Sequence, residues 1–371
     1  MRRVAARVFL GKKEEEVSES SKNRQATEVD MLATARDVQW TAETFLGHGA
    51  IKLVAPAKVN LFLGVGARRA DGFHDVANIM HAVALHDIMY MHQAPWTSEE
   101  DASDLPDHLA VGGPEDNVLV SIDCTDKTGV GAAALSIPAR DNIAFKAIDA
   151  LARVLGRTDR VKLSLRIEKN IPHEGGLGGG SSNAAAALFG AAHFWGVAEG
   201  DPAIEEAAQQ LGSDVAFFLH GGCALFTGAG EVFDHALEPA KTPLVLVKPA
   251  AGVSTPAAYR TFDENPVPIP AACDARAHEA RAAEDVPLFN NLAPAAEKLL
   301  PELAEVREWL VAQSGIASPN DVLLTGSGSV TYARTQDFSA ACAIAAAAQA
   351  RGWWARATTL SSLRVAKLPQ R

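Results

Sequence analysis

The chain is 371 residues long, about twice the usual single-domain length, so two domains are the first expectation. Hydrophobic residues at 48% and charged residues at 21% exclude wholesale disorder. The 34 Lys and Arg against 45 Asp and Glu leave a net charge of −11, which opposes nucleic acid and anionic membranes, so neither is expected as a partner.

In chain order, the first segment carries Glu14, Glu15 and Glu16 among polar residues and cannot bury enough apolar area to fold alone. Residues 1–50 are therefore expected to be a disordered extension. It has neither the apolar core of a signal peptide nor the acid-poor composition of a transit peptide, and no run of about 18 apolar residues predicts a membrane span. In 58–66, Val59, Leu61, Leu63 and Val65 recur with period two, the pattern of a half-buried strand. Residues 94–116 hold seven acids and no Lys or Arg, and 94–140 as a whole reads as a solvated surface insertion. Ile143, Ala147, Ile148, Leu151 and Leu155 then recur at helical spacing, with Asp141 as the expected N-cap.

Val161, Leu163, Leu165 and Ile167 alternate with polar residues and predict a second strand. The segment 172–182, PHEGGLGGGSS, follows directly, and its five glycines exclude an ordinary helix or strand interior. The alanine-rich stretch 183–195 comes next, so the glycine loop is expected to open a helix. Strand, glycine loop and helix N-terminus together suit an anion, with phosphate the natural ligand. Walker A is absent because Ser181 and Ser182 follow Gly180 with no Lys, and the dinucleotide fingerprint fails at its third glycine. Dinucleotide binding and a purely structural turn remain as minor alternatives.

A short helix is expected over 202–211, and a break near residue 240 separates an N-terminal domain over 51–240 from a C-terminal domain over 241–371. In the latter, a strand over 244–247, a Pro-rich connector over 265–287, helical periodicity over 292–310, a GSGS turn at 326–329 and a helix over 338–350 are expected. Cys124, Cys223, Cys273 and Cys342 stand far apart with no CxxC, which argues against a zinc cage or disulfide frame and fits a reducing cytoplasm. The eleven histidines show no ligand spacing, so no protein-held metal is expected.

The segment 172–186 resembles the phosphate-binding motif of the GHMP kinase superfamily, which uses a glycine-serine loop in place of Walker A. Three further segments, 55–75 (APAKVNLFLGVGARRADGFHD), 211–222 (LGSDVAFFLHGG) and 323–333 (LLTGSGSVTYA), are similar to other motifs of that superfamily. The first two resemble its branch acting on a cytidine-diphosphate-bearing methylerythritol in the non-mevalonate isoprenoid pathway.

The resemblance implies an α+β fold of two domains with the site in the cleft between them, and a kinase using ATP with Mg²⁺. By motif position, Lys58 and Asp214 would be the catalytic pair, the base being Asp214. Pro172, His173, Glu174, Gly175, Gly176, Leu177, Gly178, Gly179, Gly180, Ser181 and Ser182 would cradle ATP. Asn60, Phe73 and His74 would bind the acceptor, and Tyr259 would be either a second stacking face for its base or a packing aromatic. The chain departs from the pattern at Phe73, where Tyr is usual, at Asn183, where Asp is frequent, and at Glu174, whose carboxylate repels phosphate unless it points away.

Overall fold

The computed structural model describes residues 42–97, 105–129 and 137–369. Its largest element is a nine-stranded sheet, among the described residues, built on two long strands, β1 (Ile51–Arg68) and β2 (His74–Pro95), paired antiparallel. The sheet continues from β2 through β5 (Val161–Lys169) and β4 (Val118–Asp126) to β3 (Leu109–Gly112), with β4 and β5 parallel. A branch of β6 (Cys223–Thr227) and β7 (Val232–Leu237) pairs with β2, and two short strands, β9 (Phe289–Asn290) and β13 (Ala366–Lys367), pair with β1.

The two faces of this sheet bury different things. One face packs α2 (Ile143–Val154), α3 (Gly179–Phe194) and α5 (Ser213–His220) through Leu53, Met89, Leu163, Leu188 and Phe217. The other presents Val59, Leu61, Phe62 and Ile79 to Leu244, Leu246 and Tyr332 of a second, antiparallel sheet. That sheet has the order β10 (Val322–Leu324), β11 (Thr331–Arg334), β8 (Pro243–Lys248) and β12 (Trp354–Thr359). Its far side is covered by α9 (Glu302–Val311) and α10 (Phe338–Ala350) through Val245, Val306, Leu310 and Ile344. The result is four layers, helices on sheet on sheet on helices, an α+β arrangement.

β1 is buried on both faces rather than one, so Lys58 and Asn60 lie inside the protein. Register shifts between Pro56 and Ala57, Asn60 and Phe62, and Val65 and Arg68 interrupt the strict alternation, as bulges do.

Three expectations need correction. Within the supposed disordered extension, α1 (Ala42–Leu46) is helical, and Ala42, Phe45 and Ala50 pack on Tyr90; residues 1–41 lie outside the described residues. The acidic segment 94–140 is not a mere surface loop. Its described parts supply β3 and β4, whose Ala110, Val118, Leu119 and Val120 are core residues, while 98–104 and 130–136 lie outside the described residues. Charge composition pointed to solvent, but the acids cluster ahead of the apolar residues that pair. The cap of α2 is Asn142, whose Oδ1 accepts from the Ala144 N–H at 2.9 Å, because Asp141 belongs to a preceding 3₁₀ turn.

Candidate active site

The glycine loop runs from the end of β5 into α3, whose N-cap is Gly178 at φ +70°. A buried carboxylate holds its base. Asp87 accepts from the N–H groups of Asn170 at 2.7 Å and Ile171 at 2.9 Å and from Asn183 Nδ2 at 3.1 Å, and it pairs with Lys169. Lys169 also donates to Asn183 Oδ1 at 2.7 Å, so the Asn at 183 completes this network.

The other side of the loop is fastened to the turn 326–329. Ser329 donates to the Glu174 carbonyl from both N–H and Oγ, at 3.1 and 3.0 Å, and the Val330 N–H donates to the Gly175 carbonyl at 3.1 Å. Gly176 has φ +72°, and a Cβ there would run into the Thr325 carbonyl, so only glycine allows this approach. Glu174 turns its carboxylate against Gly252, on the side where buried Lys248 lies, and burial lowers the Lys248 pKa against the pull of that carboxylate.

Two cavities meet at the loop. One, of about 420 Å³, is lined by the loop residues from Pro172 to Ser181 and closed at its far end by Cys124, Ile137, Asn142, Ile143 and Lys169. The other, of about 300 Å³, has Lys58, Asn60, Asn78, Asp214, Thr255 and Tyr259 in its wall. Gly176, Gly178 and Ser181 line both. Of the loop residues expected to hold ATP, Ser182 alone lines neither, its hydroxyl being buried without a partner among the described residues.

Lys58 and Asp214 come together in the second cavity. Lys58 lies buried on β1, Asp214 sits half-buried in the first turn of α5, and Nζ stands 3.5 Å from the carboxylate. Lys58 Nζ also donates to Asn60 Oδ1 at 2.7 Å. Thr325 ties this strand to the loop, since Oγ1 accepts from the Asn60 N–H at 3.1 Å and donates to Asn60 Oδ1 at 2.9 Å, with the Gly176 carbonyl 3.2 Å away.

The remaining predicted residues divide. His74 is buried, with Nε2 2.7 Å from Asp263 Oδ1 and its ring 5.3 Å from that of Tyr259. Tyr259 on α6 (Thr255–Glu264) packs on His74 and also stands in the wall of the cavity. Burial, followed by the Asp214 charge, pushes its phenol up to about 12, so it stays protonated at neutral pH. Phe73 is apart, 63% exposed at the tip between β1 and β2, and it lines neither cavity. Among the described residues no group of three or more His, Cys, Asp or Glu converges to hold a metal.

Asp87, Asn78 and Thr325 were not anticipated. Asp87 and Asn78 each interrupt an apolar run of β2, and a polar residue in such a run was the available signal.

A glycine loop at a helix N-terminus with a cavity on either side of it suits a phosphate-bearing ligand. The GHMP kinases N terminal domain pattern matches residues 142–222. The chain is 34% identical to 4-diphosphocytidyl-2-C-methyl-D-erythritol kinase of Desulfitobacterium hafniense, covering 80% of this chain and 91% of that protein. The Streptomyces coelicolor enzyme of the same name is 36% identical over 82% of this chain and 93% of its own. A crystal structure of 4-(cytidine 5'-diphospho)-2C-methyl-D-erythritol kinase superposes with a TM-score of 0.60 at 29% identity, covering 84% of this chain and 99% of that one. The chain belongs to the 4-diphosphocytidyl-2-C-methyl-D-erythritol kinase family.

Proposed function

We propose that the chain is an ATP-dependent kinase that phosphorylates the 2-hydroxyl of 4-diphosphocytidyl-2-C-methyl-D-erythritol and releases ADP, in the non-mevalonate route to isoprenoid precursors. The observation that carries the mechanism is the Lys58–Asp214 pair, set in a cavity that shares Gly176, Gly178 and Ser181 with the larger one beyond the loop. In this reading ATP occupies the larger cavity with its γ-phosphate at the shared residues, and the acceptor hydroxyl enters beside Asp214.

Phosphoryl transfer asks mainly for alignment and charge neutralisation. Asp214 takes the proton as the hydroxyl oxygen attacks the γ-phosphorus, and the bond from phosphorus to the ADP oxygen breaks. Lys58, 3.5 Å from the Asp214 carboxylate, orients it and faces the charge on the transferred group. Asn60 holds Lys58 in place through its carboxamide oxygen and stands with it in the cavity wall, beside the acceptor.

The loop N–H groups and the start of α3 favour phosphate, the dipole contributing roughly 0.3 to 1 kcal/mol per charge. Mg²⁺ bound with the nucleotide would supply the larger neutralisation, and the Ser181 hydroxyl is a hard oxygen donor suited to it. The cytidine end would extend past Tyr259 toward His74, with Phe73 free to fold over the base and stack. The four cysteines carry no disulfide, which suits a cytoplasmic setting.

The deciding assay is ADP release by purified protein with Mg²⁺ and ATP. Acceptors to compare are 4-diphosphocytidyl-2-C-methyl-D-erythritol, the 4-phosphate lacking the cytidylyl group, homoserine, galactose and mevalonate. Turnover confined to the cytidylated compound is expected, and turnover of another alcohol in its place would overturn the substrate assignment.

A further inference from the structure

An ammonium group is donor-only, and here that fact orients two amides in succession. Lys58 Nζ donates to one end of the Asn60 carboxamide at 2.7 Å, so that end is Oδ1. The Thr325 hydroxyl, already accepting from the Asn60 N–H, donates to the same oxygen. The other end of Asn60 is therefore Nδ2, and it stands 2.6 Å from Asn78, which must present Oδ1 to accept. Asn78 is left with its own Nδ2 as a pair of N–H donors. Asn78 is 94% buried and lines the acceptor cavity, and no described residue accepts from that Nδ2.

With no acceptor among the described residues, that Nδ2 is the group Asn78 offers to the cavity, where an incoming acceptor atom can meet it. The cavity wall carries no spare carboxylate beyond Asp214, which is matched to Lys58. Leu63, paired opposite Asn78, and Val76 are apolar, so Asn78 Nδ2 is an uncharged donor with no cation of its own strand beside it, suited to a neutral oxygen rather than a phosphate.

We infer that Asn78 is an acceptor-binding residue whose Nδ2 donates to a polyol hydroxyl oxygen next to the one phosphorylated. This rests on the kinase reading above and names a contact within it. The same lysine that faces the reacting group thus dictates, through Asn60, which atom of Asn78 the acceptor meets.

The test is steady-state kinetics of wild type, Asn78→Ala and Asn78→Asp with 4-diphosphocytidyl-2-C-methyl-D-erythritol and its 1-deoxy and 3-deoxy analogues. Asn78→Asp keeps an oxygen to accept from Asn60 and replaces the donor by a charged oxygen, so it addresses the proposal even if the alanine variant folds poorly. The expected result is a rise of tenfold or more in acceptor KM for both variants, with ATP KM changed less than twofold. With one of the two deoxy analogues the penalty should shrink to less than twofold. A fall in kcat at unchanged acceptor KM would overturn the proposal, since Asn78 would then act only by supporting Asn60. An equal penalty with every analogue would overturn it too. Absence of wild-type turnover would refute the kinase reading itself and the contact with it, whereas wild-type turnover with unaffected variants would refute the contact alone.

Discussion

Lowering the pH should destabilise the fold through one histidine remote from catalysis. His81 on β2 is fully buried, with Nδ1 2.8 Å from the Ala82 carbonyl and Nε2 accepting from the Ala240 N–H at 3.0 Å. The second contact requires Nε2 to be unprotonated, so the ring is neutral and Nδ1 carries the hydrogen. Protonation would set two N–H groups against each other, and burial pushes the pKa from the ordinary 6.5 down to about 4. Because the folded value is depressed, the unfolded chain binds the proton first as pH falls. Stability is complete above 6.5, declines between 6.5 and about 4, and is level below. A gap of about 2.5 units at about 1.4 kcal/mol each gives roughly 3 kcal/mol across that window.

The assay is equilibrium urea unfolding of wild type and His81→Gln at pH 7 and pH 4.5. At pH 7 the variant should be less stable by roughly 1 to 3 kcal/mol, from lost packing and an imperfect hydrogen bond. At pH 4.5 the difference should move in the variant's favour by about 2.5 kcal/mol, since every other titrating group is common to both proteins. A difference that stays constant within about 0.5 kcal/mol would refute the assignment of a neutral buried imidazole.

Asp214→Asn should reduce kcat by about 10² to 10⁴-fold, while ATP affinity measured by calorimetry changes less than about twofold; an active variant would remove Asp214 from the base role. Gly176→Ala places a left-handed alanine against the Thr325 carbonyl, and should destabilise the chain by about 1 to 2 kcal/mol from conformation alone and raise ATP KM in initial-rate assays. Asp87→Ala strands half-buried Lys169 and the two loop N–H groups, for an expected loss of about 3 kcal/mol in denaturant unfolding. Phe73→Ala should raise the acceptor KM more than that for ATP, and equal changes would exclude a stacking role.

The glycine loop, the strand before it and the helix after it were legible because each rests on local chemistry. Glycines cannot fill an element interior cheaply, Val161 to Ile167 alternate at period two, and the alanine run favours helix. Lys58 and Asp214 stood out only through motif resemblance, since a lone lysine in a strand and a lone aspartate at a helix start each have an ordinary structural reading. β3 was hidden because average composition over 94–116 concealed the short apolar stretch that pairs with β4.

By itself the sequence determined the strand over 161–167, the glycine loop after it and the helix that the loop opens, since these depend on neighbours within a few residues. Only the tertiary structure decided that 156 positions separate the two members of an ion pair 3.5 Å apart, and that Thr325 from the second sheet touches both Asn60 and the loop. It also decided that Asn60 bridges Lys58 and Asn78, all three in the wall of one cavity. Such assignments depend on which donor meets which acceptor across separate strands, and hydrogen bonding of that kind has no period in sequence.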